Sequence, residues 1–185
     1  MRTKDLDKQH RIKEALVRLI LREGMSGASI SKIAREAGVS PATIYVYYSS
    51  KDEMLSDIFQ EYAHQSYHYL MGRVRPEMDG AELIDTLVRG YFAYSMEHEE
   101  VFSFVEQCSR CPTLGPQVSQ EVCCCEVFDL IHAYQDRGQV RRCSDPSMAA
   151  VLFSPVRFLA MNQETIDREA ELTELVRMLQ DMLLL

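Results

Sequence analysis

The side chains with the widest chemistry in this 185-residue chain are six cysteines and five histidines. Cys108-x-x-Cys111, followed by Cys123-Cys124-Cys125, has the residue types needed to ligate a soft metal or to sense an oxidant. Cys108, Cys111 and Cys123 are the trio such a site would use. On a helix, Cys123 and Cys124 project with Val127, Ile131 and Tyr134 on an apolar face, whereas Cys125 falls opposite, near Glu121 and Asp129. Buried free cysteine is also a common small hydrophobe, so packing competes with sensing. His64 and His68, at i and i+4, could share a metal. They project opposite Leu55, Phe59 and Tyr62, so a solvated face or a polar contact is the better reading. The chain has no Walker loop, Gly-x-Ser-x-Gly elbow or His-Glu-x-x-His motif, and no carboxylate pair stands apart from helix-surface charge. An enzyme has no positive support, and no cofactor is implied.

The length suits one domain, or a small module attached to a larger one. At 46% hydrophobic and 26% charged residues, the composition is that of an ordinary globular protein. No apolar run approaches the ~20 residues of a membrane helix, and Met1-Arg2-Thr3-Lys4-Asp5 leads into charge rather than an apolar segment. The expectation is a cytoplasmic chain with reduced thiols and no membrane partner. A net charge of −8 would by itself argue against a nucleic-acid ligand. The charge is segregated, however. Residues 1–51 carry ten basic and five acidic side chains, a balance of +5, and the other 134 carry ten and twenty-three, a balance of −13. A basic head on an acidic body suits a polyanion partner; clustering on a solvated helix face is the plain alternative.

The head reads as three short helices and the start of a fourth. From Lys8 to Glu23, Ile12, Ala15, Leu16, Leu19 and Ile20 recur at helical spacing, and Gly24 ends the helix. Ser29 can cap the next helix, whose stripe is Ile30, Ile33, Ala34 and Ala37, and Gly38 stands where a left-handed residue is wanted. Ser40-Pro41 is a second cap with proline at the first helical position, opening a stubby helix through Tyr48. Two short helices joined by Ala37-Gly38-Val39-Ser40 form a helix-turn-helix signature, in which the second helix faces a DNA major groove. Ser50-Lys51-Asp52-Glu53 reads as a capping box opening a helix over 51–70, with Met54, Leu55, Ile58, Phe59 and Tyr62 inward.

The run from Ser29 to Leu55, and above all Thr43-Ile44-Tyr45-Val46-Tyr47-Tyr48-Ser49-Ser50-Lys51, resembles the DNA-binding domain of the TetR family of bacterial repressors, over about residues 8–66. The resemblance implies a helix-turn-helix domain over 1–50 and a ligand-binding, dimerising helical bundle over 51–185, all-α with about nine helices. It implies a recognition helix over 41–48 that begins with Pro41, Ala42 and Thr43, caps on Ser40, and projects Tyr45, Val46 and Tyr47 toward DNA. Ser29 and Lys51 would contact phosphates on its two flanks; Tyr48 takes a structural role. Many relatives have glycine near position 42 and a polar residue at 46, where this chain has Ala42 and Val46. Val46 can pack against a thymine methyl, and no Arg or Lys in this helix can read guanine. Specificity is therefore expected to lean on methyl contacts, tyrosine hydroxyls and DNA shape.

In the remainder, helices are expected at about 80–97, 99–110, 116–137, 144–162 and 167–184, with Pro155 kinking one of them. The segment Met148 to Phe153, continued by Val156, Phe158, Leu159 and Met161, is apolar nearly all round. The final helix has a stripe of Leu172, Leu175, Val176, Leu179, Met182 and Leu183. The resemblance implies a homodimer through these two helices, with Val151, Leu152, Val156, Leu172, Leu175, Leu179 and Met182 at the interface. It also implies an effector cavity, for which Tyr91, Met96, Phe102, Glu106, Phe128, His132 and Met161 are candidates. Phe92, Phe104, Gln107, Cys108, Ile131, Tyr134 and Arg157 are further ones, although any core contains such residues. The function expected is a repressor that binds a near-palindromic operator in double-stranded DNA as a dimer and is released by a small-molecule effector. The alternatives are an activator or co-repressed regulator, or a DNA-binding or interaction module without an effector. Thiol or metal sensing is a minor variant.

Overall fold

The computed structural model describes residues 2–111, 125–162 and 167–185. Nine helices run through the described residues: α1 (Arg2–Gly27), α2 (Ile30–Ala37), α3 (Pro41–Tyr47), α4 (Lys51–Met71), α5 (Gly80–Glu97), α6 (Glu99–Ser109), α7 (Cys125–Asp136), α8 (Asp145–Met161) and α9 (Arg168–Leu183). The fold is all-α with an N-terminal helix-turn-helix. An isolated bridge between Val140 and Leu184 is the β pairing present among these residues. The helix expected over 116–137 is described from Cys125 onward; its first part, with Cys123 and Cys124, lies outside the described residues. Pro155 sits inside α8, which continues to Met161.

Local signals set most of the boundaries. Gly24 interrupts α1 with φ 76° and ψ 172°, where the sequence places the helix end, and a further turn follows to Gly27. Asp79 forms a reciprocal capping box on α5: its carboxylate accepts from the N–H groups of Ala81 and Glu82 at 2.9 and 2.8 Å, and Glu82 accepts from the N–H of Asp79 at 3.0 Å. The start of α5 is close-packed, since a Cβ on Gly80 would stand 3.1 Å from Leu184 and 3.2 Å from Gln139.

The described residues form two compact units, one of 2–63 with 100–111, the other of 64–99, 125–162 and 167–185. This differs from a division at residue 50. The stripes of α1 and α2 need more apolar cover than α3 supplies. Met54, Ile58 and Phe59 of α4 and Phe104 and Cys108 of α6 complete that core around Ile12, Leu16, Ile20, Ile33 and Ile44. Tyr62 meets Phe104 edge-on at 6.0 Å between ring centroids. Phe104 and Cys108, considered above for a cavity in the body, therefore belong to the head. In the second unit α5 packs on α8 and α9. Leu83, Leu87 and Tyr91 are buried there, as are Leu152, Val156, Leu172 and Leu179.

Candidate nucleic-acid interface

The corner between α2 and α3 is built from main-chain geometry outward. The Ser29 hydroxyl caps α2 by accepting from the Lys32 N–H at 3.4 Å. At the other end Gly38 takes φ 65° and ψ 38°, a left-handed conformation that costs glycine nothing. The N–H of Val39 donates to the Ala34 carbonyl at 2.9 Å, and Arg11 of α1 donates to the Ala37 carbonyl at 3.2 Å, closing the turn. The Ser40 hydroxyl oxygen then accepts from the Thr43 N–H at 3.2 Å and lies 2.9 Å from the Thr43 hydroxyl. Pro41 follows at the first position of α3.

The helix α3 is held by one side and open on the other. Ile44 is fully buried, and Tyr48 beyond its end is nearly so. Burial, with the nearby charges of Glu61 and Asp57, pushes the Tyr48 hydroxyl up to about 12. On the outer side Val46 is 77% and Tyr45 57% exposed, Pro41 and Ala42 are exposed, and Thr43 and Tyr47 are half-buried. Lys51, at the start of α4, donates to the Met25 carbonyl at 2.7 Å and so braces the end of α1. An ammonium has three donors, so that bond leaves capacity for a phosphate. The capping box expected at 50–53 is altered. Ser50 accepts from the Glu53 N–H at 3.1 Å as expected, but the Glu53 carboxylate accepts from Ser49, through its N–H at 2.8 Å and its hydroxyl. Those bonds hold the Glu53 carboxyl below the usual range.

Ion pairs on the head tie α1 to α2. Arg22 bridges Glu23 and Glu36, each at 3.2–3.3 Å, and Lys32 meets Glu23 at 2.6 Å and the Gly27 carbonyl at 2.9 Å. Lys32, then Arg22, holds the Glu23 carboxyl down, and Arg22 does the same to Glu36. Much of the local positive charge thus serves as bracing, a use that charge counting did not reveal.

The body residues are placed less uniformly. Tyr91 and Phe128 are buried, and Arg157 donates to the Tyr91 hydroxyl at 3.1 Å. His132 is half-exposed and lies 2.7 Å from Asp145 at the start of α8. Phe102 and Glu106 are buried, in the unit that holds the head. Met96 and Met161, 46% and 51% exposed, lie at the surface and do not fit an enclosed lining. The residues expected at the interface are buried to different degrees within the protomer. Leu152, Val156, Leu172 and Leu179 are buried inside the protomer, where they hold α8 and α9 to α5; Val151 and Leu175 are half-buried, and Met182 is exposed. The outward apolar set is Phe158, Met161, Met178 and Met182, beside a groove of about 540 Å³ that Pro155, Phe158, Leu175 and Met178 help to line. The spacing 175, 178, 182 is itself a helical stripe, readable once it is separated from 172, 176, 179, 183. Among the described residues no cluster of three metal-binding side chains occurs. Cys108 is fully buried, and burial pushes its thiol up to about 12, so it is held as an unreactive thiol. Cys111 is half-buried, while Cys123 lies outside the described residues.

A helix-turn-helix within the basic segment 1–51, whose second helix turns an open face outward, defines a DNA-binding transcription regulator. Residues 12–58 match the family model described as bacterial regulatory proteins, tetR family. The chain is 25% identical over 171 residues to an uncharacterized HTH-type transcriptional regulator of Haemophilus influenzae, covering 90% of this chain and 89% of that one. Its fold is shared with a TetR family transcription regulator from Marinobacter aquaeolei VT8, at a TM-score of 0.83 and 22% identity over 100% of this chain and 99% of the other. The transcriptional regulator FadR from Bacillus subtilis, solved in complex with stearoyl-CoA, has the same fold at a TM-score of 0.73 and 19% identity, covering 92% and 96% of the two chains. Residues 12–58 therefore carry a DNA-binding domain of the tetR type, and the described chain has the fold of solved TetR family regulators. Among the described residues no helix is long and apolar enough to cross a membrane.

Proposed function

We propose that the protein is a cytoplasmic repressor that binds a near-palindromic operator as a homodimer and is released by a small-molecule effector. The outward face of α3 carries this reading: Tyr45 and Val46 are exposed on the second helix of the helix-turn-helix, within the basic segment 1–51, as a groove-facing helix requires. Pro41, Ala42, Thr43, Tyr45, Val46 and Tyr47 are the proposed groove-facing residues, Ser40 caps their helix, and Ser29 and Lys51 take phosphates. A dimer suits DNA because two such helices, about 34 Å apart, read two half-sites. The face of Phe158, Met161, Leu175, Met178 and Met182 is the proposed partner surface, replacing the set inferred from the sequence.

An effector would act by preferring a state of the body in which the recognition helices are misplaced. The helix α4 contributes residues to both compact units and is the proposed link. Tyr91, Phe128, His132 and Arg157 are the body residues retained as effector contacts. Support for a ligand comes from the FadR relative, which was solved with stearoyl-CoA. The test is footprinting of the protein on the DNA upstream of its own gene, with stearoyl-CoA as the first effector probe. Protection of a symmetric site is expected, and a ligand that removes protection supports release. Absence of DNA binding at low salt overturns the regulator reading. Lys51→Ala should weaken specific and random DNA alike and lower the salt slope by about one.

A further inference from the structure

We infer that α3 reads thymine by its 5-methyl group, through Val46, rather than reading any base by paired hydrogen bonds. This rests on the operator-binding reading above and specifies what the head recognises. The helix and the residue after it, 41–48, contain no Arg, Lys, Asn, Gln, Asp or Glu. Those are the side chains that pair with the two-atom patterns of guanine, adenine and cytosine in the major groove. The polar groups that remain are largely engaged or turned inward. The hydroxyls of Ser40 and Thr43 lie 2.9 Å apart, with Ser40 also capping the helix, and Tyr48 is buried.

What faces outward is an isopropyl group, 77% exposed, beside the Tyr45 ring. Among the described residues nothing covers Val46, although Val is neither a helix former nor a solubilising surface residue. In a major groove it would neither donate nor accept, so it gains only against apolar surface. The apolar group presented there is the C5-methyl of thymine. Tyr45 and half-buried Tyr47 each carry a hydroxyl, which can position the helix without distinguishing all four pairs. The consequence is unusual for a base reader. At the position facing Val46, preference should follow the 5-methyl group rather than the Watson–Crick edge. Thymine and 5-methylcytosine should be favoured there over uracil and cytosine.

The experiment begins with duplexes selected by the full-length protein from a random double-stranded pool. Each thymine of the selected site is then replaced by deoxyuridine, which removes only the methyl, and by 5-methylcytosine or cytosine paired with guanine. Kd is measured for the wild type and for Val46→Ala; because Val46 is exposed, the variant should keep its helix, as circular dichroism would verify. Burial of one methyl contributes about 0.8 kcal/mol, so uracil should weaken the wild type about fourfold in each half-site at one position. At that position 5-methylcytosine should bind more tightly than cytosine, and Val46→Ala, which keeps one methyl, should discriminate less between thymine and uracil. Wild-type affinity unchanged by uracil at every thymine overturns the inference while leaving operator binding intact. So does a thymine preference that survives Val46→Ala undiminished. Failure to enrich any duplex at low salt removes the operator reading and this inference together.

Discussion

Leu179 and Met178 are adjacent on α9 but face different worlds: Leu179 is 2% and Met178 57% exposed. Changing each to glutamate separates protomer stability from self-association. In Leu179→Glu the lost packing costs about 2–5 kcal/mol, by analogy with large-to-small core changes. A carboxylate forced into the same interior adds several kcal/mol more. Together these approach the whole stability of a domain, roughly 5–15 kcal/mol, so this variant should lose its cooperative thermal transition. Met178→Glu alters the isolated protomer by only about 0.5 kcal/mol, as surface changes do. At a twofold interface, however, it removes the same side chain twice. Burial of a methionine contributes about 1.5–3 kcal/mol, so roughly 3–6 kcal/mol is lost and the dimer Kd rises about 10²–10⁴-fold. Glu171 and Glu174 line the same groove and would repel the new carboxylate. Sedimentation velocity over a concentration series, with circular dichroism melts, measures both effects. A Met178→Glu protein that dimerises like the wild type refutes the assigned face. A folded, merely monomeric Leu179→Glu protein would instead restore the stripe first read from the sequence.

Four further outcomes are expected. Gly38→Ala should destabilise the head by about 1–2 kcal/mol, because φ 65° brings a Cβ too near the following carbonyl; Ile44→Ala, which empties the anchor of α3, should cost about 2–5 kcal/mol, both read by chemical denaturation. Tyr48 and Tyr62 both hold hydroxyls pushed up to about 12 by burial and neighbouring carboxylates, above the ordinary 10. A folded pKa above the unfolded value gives stability that is complete below pH 10 and lost as pH rises toward 12. Melting temperature should fall across that window, and Tyr48→Phe should flatten part of the fall. An aromatic disulfide reagent added to folded protein should modify exposed Cys143 rapidly and buried Cys108 only at the rate of unfolding. Rapid reaction at Cys108 would revive thiol sensing.

The helix-turn-helix was legible in the chain because its signals are local. Ser29, Gly38, Ser40 and Pro41 act within four residues of where they stand, through caps, a left-handed corner and a fixed proline φ, and each took the expected place in the local backbone. Ser50 did as well, but Glu53 turned to Ser49, since two geometries one residue apart satisfy the same carboxylate.

What the sequence determined by itself was the order of the described helices, most of their ends and the basic charge of residues 1–51, all properties of neighbouring residues; the first helix starts earlier than its apolar stripe, at Arg2. Tertiary structure alone decided which apolar surface met which. It drew Phe104 and Cys108 into the head core, brought Arg11 to the Ala37 carbonyl, and turned Leu172 and Leu179 inward while leaving Phe158 and Met178 outside. Hydrophobic burial is non-directional, so two apolar stripes on one helix compete equally until packing against α5 selects one.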